Sequence, residues 1–127
     1  MSYKVFISST FKDVAVAKEL ADKLEEVGVK VYSVERNAQG GDTIITKAKQ
    51  TLSNADEVFL IVTNNSVDSQ GLASEMGLAF SLHKPITPVV KGLKKHELPP
   101  MLQHMKYIKF EELPKHLSLI AKRANAA

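Results

Sequence analysis

Residues 57–63, with the sequence EVFLIVT, form the most hydrophobic stretch of the chain and predict a buried strand near the centre of a sheet. Aromatic and β-branched residues follow one another here without the polar alternation of a strand that has one face in water. Strands of this kind are typical of parallel sheets whose two faces are covered by helices. The stretch therefore predicts an α/β fold.

Strand-like and helix-like segments alternate about five times along the chain, which supports the same fold class. The other strands are predicted at Lys4–Ile7, Val29–Ser33, Ile86–Val90 and Tyr107–Phe110. Helices are predicted at residues 13–28, 42–55 and 69–82, as one turn at 100–104, and from Leu113 onward. Because Pro88 cannot donate a backbone hydrogen bond, its strand is expected at an irregular or peripheral position.

Ligands of such sheets bind beyond the carboxyl ends of the strands. The loops expected at that edge are residues 8–12, 34–43, 63–72 and 91–99. The third loop leads into the predicted helix 69–82, whose only charged residue is Glu75. Glu75 shares a helical face with Leu72 and Ala79, where a carboxylate is costly to desolvate unless a partner or a cleft receives it. Alternatively, it complements the helix dipole and points to water. Its place at the ligand edge favours a role in a site.

Length and composition predict a single soluble domain over residues 1–127. The apolar fraction of 44% and the charged fraction of 24% are ordinary for a globular protein. Cysteine is absent, and Met1 leads almost directly into a strand, which leaves no room for a signal peptide. No apolar run is long enough to cross a bilayer. We therefore expect a cytoplasmic location and no membrane partner.

A formal charge of +3 raises the question of nucleic-acid binding. Lys94, Lys95 and His96 form the only dense basic spot, and elsewhere basic and acidic residues alternate along the helices. No aromatic residues interleave with a basic run, as they do in single-strand binding surfaces. The sequence therefore argues against nucleic acid as a partner.

Common cofactor and metal motifs are absent from the sequence. The first strand is followed by SSTFKD instead of a G-x-G-x-x-G fingerprint, and neither a P-loop nor metal-ligand spacing occurs. No bound metal and no cofactor are therefore expected. Gly40 and Gly41 either form a simple turn or hold backbone amides against a phosphate, with Arg36 as its charge partner.

Several of these segments together resemble a TIR (Toll/interleukin-1 receptor) domain of prokaryotic type. The resemblance lies in the first strand VFIS, the glycine-ended loop in VYSVERNAQGGD, and EVFLIVTNNSVDS followed by the glutamate helix. It extends from Lys4 to about Phe110, and Ser69 and Glu75 match the S-x5-E pattern of the family. The segment SEMGLAFSLHKPITPVV, which begins at Ser74, is also similar to the glutamate helix of nucleoside 2-deoxyribosyltransferases.

The resemblance implies a flavodoxin-like three-layer sandwich, with a five-stranded parallel sheet and helices on both faces. It also implies a NAD+ nucleosidase or cyclase of a signalling or antiviral defence system, with NAD+ as substrate and with homotypic TIR–TIR assembly required for activity. Glu75 would be the catalytic carboxylate. The substrate would be bound by Ser8, Ser9, Phe11, Arg36, Asn37, Gly41, Asp42, Thr43, Ser69 and Gly71.

The sequence departs from this family at two positions. Many TIR NAD+ hydrolases carry a tryptophan four residues before the glutamate, where this chain has Gly71. Some have an aromatic residue at the start of the second helix, where this chain has Thr43. Two alternatives therefore stay open: a non-catalytic TIR interaction module, and a nucleoside deoxyribosyltransferase-like enzyme. The second lacks support at the first strand, where Ser8-Ser9-Thr10 replaces the glycine–proline turn of that family.

Overall fold

The computed structural model describes residues 3–9, 11–33, 53–65, 77, 81 and 83–126. The strands are β1 (Lys4–Ser8), β2 (Lys30–Ser33), β3 (Glu57–Val62), β4 (Ile86–Val90) and β5 (Ile108–Lys109). Helices within the described ranges are α1 (Val14–Glu26), α2 (Pro100–Gln103) and α3 (Leu113–Ala126). Short 3₁₀ turns occur at Phe11–Asp13, Lys95–Glu97 and Phe110–Glu112.

The five strands run parallel in one sheet in the order β2-β1-β3-β4-β5. This is the flavodoxin-like order, in which the chain builds outward from β1 to one edge and then from β3 to the other. The most hydrophobic strand, β3, lies at the centre, and all six of its residues are buried. The predicted five-stranded parallel α/β fold is therefore confirmed.

Both faces of β3 contribute to a core, as its lack of polar alternation predicts. One face, which carries Phe59 and Ile61, packs against α1 and α3. The opposite face, which carries Leu60 and Val62, packs against the segment around α2 through residues such as Leu98. Burying each of these large side chains contributes roughly 1.5–3 kcal/mol relative to leaving it in water. The central strand is therefore the main hydrophobic element of the fold.

The observed ends of the elements agree closely with the predicted ones. The fifth strand is shorter than predicted, since only Ile108–Lys109 pairs with β4. Helix α1 ends just before Gly28, as predicted, because Gly28 has a φ of 89° in the left-handed region that favours glycine. The predicted helices at 42–55 and 69–82 lie mostly outside the described residues. Of their described members, positions 53, 54, 77 and 81 are helical, and Ala55 is not.

Pro88 lies inside the sheet, so the peripheral position expected for its strand is wrong. Strand β4 has β3 on one side and β5 on the other. The backbone N–H of Val58 donates to the carbonyl of Pro85. Since the backbone groups of alternate residues point to the same side of a strand, those of the odd-numbered residues of β4 point toward β3 and those of Pro88 point away from it. Pairing with β5 begins only at Val89. The missing N–H therefore removes no hydrogen bond between β4 and β3.

The carboxylate of Glu57, at the start of β3, is 1% exposed and receives four hydrogen bonds. Nη1 of Arg123 donates to both of its oxygens at 2.8 Å. The hydroxyl of Tyr3 donates to Oε1 at 2.7 Å, and the hydroxyl of Thr87 donates to Oε2 at 2.8 Å. A buried carboxylate needs such partners to offset its desolvation. The network ties α3 to the amino end of the sheet.

The same network shifts the pKa values of two of its members. Burial, followed by the hydrogen bond to Glu57 and its charge, raises the pKa of Tyr3 from 10.0 to about 12. Burial by itself would lower the pKa of Arg123, but the charge and hydrogen bonds of Glu57 raise it. Both groups therefore keep their protons near neutral pH, and all four hydrogen bonds persist there.

Replacing Arg123 with Met should lower the free energy of unfolding by about 1–3 kcal/mol, because Glu57 would stay buried without its cationic partner. The Arg123 side chain is 48% exposed, so the loss should be smaller than for a fully buried ion pair. Urea unfolding measures the change, and Lys122→Met, at an exposed neighbouring position, is the matched control. Equal losses in both variants would contradict a structural role for the Arg123–Glu57 pair.

Alkaline pH should destabilise the wild type more than a Tyr3→Phe variant. Between its ordinary pKa of 10.0 and its folded pKa of about 12, Tyr3 holds a proton in the folded state that the unfolded chain has released. This contribution to stability is complete below pH 10 and is lost as the pH rises toward 12. Urea unfolding of both proteins across this range measures the difference, and parallel stability curves would exclude Tyr3 as its source.

Candidate active site

Strands β1 and β3 end side by side at the carboxyl edge of the sheet. Ser8 is the last residue of β1 and lies in register with Leu60 of β3. Ser8 is 0% exposed and Ser9 is 9% exposed. In sheets of this strand order, the ligand crevice lies where the chain leaves β1 and β3 toward opposite edges. Two buried serines therefore stand at the edge where the sequence predicts a ligand.

A polar cluster joins the loop after β1 to the loop after β3. The hydroxyl of Thr63 donates to Oδ2 of Asp13 at 2.8 Å, and Nδ2 of Asn65 donates to Oδ1 of Asp13 at 2.9 Å. The backbone N–H of Asn65 in turn donates to the Thr63 hydroxyl at 3.0 Å. Asp13 is 3% exposed and Thr63 is 7% exposed, so their hydrogen bond is buried, whereas the two hydrogen bonds of Asn65 are partly buried. Hydrogen bonds to a buried charged group are among the stronger ones in a protein.

Asp13 has an unusual role for an aspartate that precedes a helix. Such a residue commonly caps its own helix with its side chain, but Asp13 makes no side-chain hydrogen bond of this kind to α1. Its two carboxylate oxygens instead accept from the loop after β3. Asp13 therefore acts as an anchor that fixes the first-strand loop against Thr63 and Asn65.

The predicted site residues fall into two groups. Ser8 and Ser9 lie at the carboxyl end of β1, and the backbone of Phe11 begins the 3₁₀ turn that precedes α1. The other predicted substrate-binding residues and the predicted catalytic residue lie outside the described residues; they are Arg36, Asn37, Gly41, Asp42, Thr43, Ser69, Gly71 and Glu75. Their roles stay predictions.

The sequence interpretation did not identify the Asp13 cluster. Its signals were an aspartate at the end of a polar loop and a polar turn directly after the central strand. Both loops were expected at this edge, but nothing in the spacing of residues 13 and 63 indicates that their side chains meet. Hydroxyl and amide groups in rigid loops can bind the hydroxyls of a polar ligand. The described part of this edge therefore supplies groups that anchor its two loops to each other.

The described residues also bear on metal binding and membrane insertion. The described ranges contain no group of three or more His, Asp or Glu side chains placed to bind a metal ion. Within the same part of the chain, every helix is too short or too polar to span a membrane.

The strand order and the buried polar residues between β1 and β3 define a flavodoxin-like α/β protein with a ligand edge at its carboxyl side. The family model described as "TIR domain" matches residues 5–120. The chain therefore belongs to the TIR domain family, as its sequence predicts. The comparison with curated proteins found no match.

Solved structures with the same fold include two TIR proteins. The TIR domain of the Toll-related receptor TRR-2 from Hydra magnipapillata is similar with a TM-score of 0.73, at 16% identity, over 97% of this chain and 97% of that chain. A metazoan TIR-STING receptor from C. gigas, solved in complex with 2′,3′-cGAMP, is similar with a TM-score of 0.70, at 23% identity, over 92% of this chain. The match covers only 39% of that receptor. At these identities the likeness establishes the fold.

A third similar structure is the 2-deoxyribosyltransferase from Bacillus psychrosaccharolyticus, with a TM-score of 0.69 at 19% identity. The match covers 87% of this chain and 89% of that enzyme. The chain thus resembles a 2-deoxyribosyltransferase in its overall fold as well as in the sequence around Glu75.

Replacing Asp13 with Ala should lower the free energy of unfolding by about 1–3 kcal/mol, because the buried Thr63 hydroxyl and the Asn65 amide would lose their acceptor. Asp13→Asn should cost less, since one acceptor oxygen is retained. Urea unfolding measures both variants, and Asp22→Ala on the exposed side of α1 is the control. An Asp13→Ala variant as stable as this control would show that the cluster does not hold the two loops together.

Proposed function

We propose that this TIR domain is a NAD+ nucleosidase or cyclase that cleaves the nicotinamide–ribose bond, with Glu75 as its catalytic residue. The observation that carries the proposal is the family match over residues 5–120 together with the S-x5-E pattern of Ser69 and Glu75. Glu75 is the only charged residue between Ser69 and Leu82. A non-catalytic module has no need of a carboxylate in such an apolar segment.

The chemistry of NAD+ explains why one carboxylate suffices. Most glycosidases need an acid to protonate the leaving oxygen and a second carboxylate at the anomeric carbon. Nicotinamide leaves a cationic pyridinium linkage as a neutral molecule and requires no proton. Glu75 would stabilise the positive charge that develops on the ribose ring, or form a transient ester with it. Attack by water would then give ADP-ribose, and intramolecular attack would give a cyclic isomer.

The described residues support this chemistry through the shape of the first-strand loop. Ser8 and Ser9 are buried at the carboxyl end of β1, and Asp13 holds the loop against the turn after β3. In the proposal this loop contacts the ribose and nicotinamide portions of the substrate. The residues at 36–43 and at 69–71 complete the pocket, and NAD+ is substrate, so no separate cofactor is required.

We also propose that catalysis depends on homotypic TIR–TIR assembly in a cytoplasmic signalling or defence system. Self-association is typical of TIR domains, and receptors are among the proteins similar to this chain. The polar, glycine-ended segment 34–42 offers few apolar groups for a core of its own. A segment of this composition suits a contact between subunits. Neither nucleic acid nor membrane is part of the proposal.

Transfer of a deoxyribosyl group is a second candidate function, since a 2-deoxyribosyltransferase shares the fold over nearly its whole length. Both reactions break a bond between a nitrogen base and the C1′ carbon, and both could use Glu75. Incubation of a concentrated or clustered protein with NAD+ and, separately, with deoxynucleosides distinguishes them by the products that chromatography resolves. Assembly without turnover of either substrate would favour the interaction module.

Substituting Glu75 with Gln should lower the rate of NAD+ cleavage on the order of a hundredfold or more while leaving the fold intact. The amide keeps the shape of the side chain but removes the charge that the transition state requires. Nicotinamide release measures the rate, and circular dichroism checks the fold. Glu111→Gln, at an exposed position, is the matched control and should retain full activity. Wild-type turnover by Glu75→Gln would exclude this residue as the catalytic group.

A further inference from the structure

The segment that leads from β4 through β5 has a higher net positive charge than the whole chain. We call residues 91–109 the basic crossover. It contains five lysines and one glutamate, a net charge of +4, against +3 for the entire chain. The remaining residues therefore sum to −1. Its lysines stand at positions 91, 94, 95, 106 and 109, and all five are exposed.

The charges of the basic crossover are not neutralised within the described part of the chain. Its one carboxylate, Glu97, accepts the backbone N–H of Lys94 at 2.9 Å and forms no ion pair with a lysine. Nζ of Lys91 lies 4.9 Å from the centroid of the Phe110 ring, which leaves its charge in place. Lysines confined in this way repel one another, so binding of an anionic surface would relieve the repulsion.

Helix α1 presents an acidic surface, opposite in charge to the basic crossover. Glu19, Asp22 and Glu26 follow one another at i, i+3 and i+7, so they share one face of the helix. All three are exposed, on the side of α1 away from Leu20 and Leu24, which are buried in the core. Within the described ranges no ion pair involves these three carboxylates. We call them the acidic face.

The two surfaces cannot meet within one molecule. Helix α1 packs on the face of the sheet that carries Phe59 and Ile61, next to β1 and β2. Leu98 and Leu102 of the basic crossover pack on the opposite face, next to β4 and β5, whereas its Ile108 packs in the cluster that contains α1. The sheet separates the segment of Leu98 and Leu102 from the acidic face, so within the described residues the two surfaces do not meet in one molecule.

We propose that the basic crossover of one copy binds the acidic face of α1 in the next copy. This inference rests on the self-assembly in the proposed function and not on its chemistry. A second copy fits better than a nucleic acid, because the complementary charge is on the chain itself and the aromatic residues of this region, Tyr107 and Phe110, are partly buried instead of offering a stacking surface. Because the two surfaces differ and lie on opposite sides, the contact is head-to-tail and can extend to further copies.

Charge reversal on each surface, alone and in combination, tests the contact. One variant carries Lys94→Glu and Lys95→Glu, and the other carries Glu19→Lys and Glu26→Lys. Analytical ultracentrifugation without substrate should show that each variant associates with itself about tenfold or more weakly than the wild type, because like charges now face each other. An equimolar mixture of the two should recover association, since every contact between them again pairs opposite charges.

Two controls separate the surfaces from simpler explanations. Lys115→Glu with Lys122→Glu, on the exposed side of α3, changes the net charge by the same amount and should associate like the wild type. Raising the salt from about 0.01 M to about 1 M shortens the Debye length from about 30 Å to about 3 Å and should weaken the wild-type assembly.

Four results would overturn the proposal. An associating wild type that tolerates both reversals, or a mixture that fails to recover association, would reject these surfaces while leaving self-assembly in place. Equal weakening by the α3 control would reject them in the same way. A wild type that is monomeric at every concentration, and whose Lys94→Glu, Lys95→Glu variant instead loses binding to an oligothymidine, would reject self-assembly and identify the basic crossover as a nucleic-acid surface. None of these results depends on whether Glu75 cleaves NAD+.

Discussion

The parallel pairing of β1 with β3 is the contact on which the rest of the structure depends. Four registered pairs, from Val5 with Glu57 to Ser8 with Leu60, set these two strands side by side at the middle of the sheet. Parallel neighbours need long crossover connections, and here those connections build toward opposite edges. The loops that leave the carboxyl ends of β1 and β3 therefore diverge and open a crevice between them. Ser8 and Ser9 lie at the carboxyl end of β1, beside this point of divergence.

A buried carboxylate lies near each end of β3, and different donors stabilise it at each end. At the amino end, the buried carboxylate of Glu57 is surrounded by Tyr3, Thr87 and Arg123, which close that end of the sheet onto α3. At the carboxyl end, the carboxylate belongs to Asp13, and the residue directly after the strand, Thr63, donates to it. The two clusters are separated by the length of the strand, about 20 Å. Both charges are buried, yet only the second lies where ligands bind in this fold.

Two of the charged surfaces lie on opposite faces of the sheet. Helix α1 presents Glu19, Asp22 and Glu26, and the edge at β5 presents lysines, whereas α3, on the same face as α1, presents Lys115, Lys122 and Arg123. Burial of the apolar faces of β3 forces this arrangement, because α1 and the basic crossover must cover opposite sides of the same strand. A TIR domain with these two surfaces has the polarity that head-to-tail assembly requires.

The sequence by itself determined the fold class, the central position of β3 and the loops at the ligand edge, because hydrophobic periodicity and turn residues are local properties. It also singled out Glu75 from its apolar surroundings. The expectation that a proline places its strand at the periphery failed at Pro88. Its missing N–H would disrupt the sheet only if it faced a paired neighbour, and which side faces a neighbour is known only from the tertiary structure. Only the tertiary structure decided the partners of Glu57 and Asp13, which lie 66 and 50 residues away in the chain at Arg123 and Thr63. Residue spacing contains no information about such contacts, because they arise when separate strands and helices pack together. Lysines that are distant in the sequence also form one exposed surface only in the folded chain. The crossover from β4 to β5 brings residues 91–95 and 106–109 to one edge of the sheet.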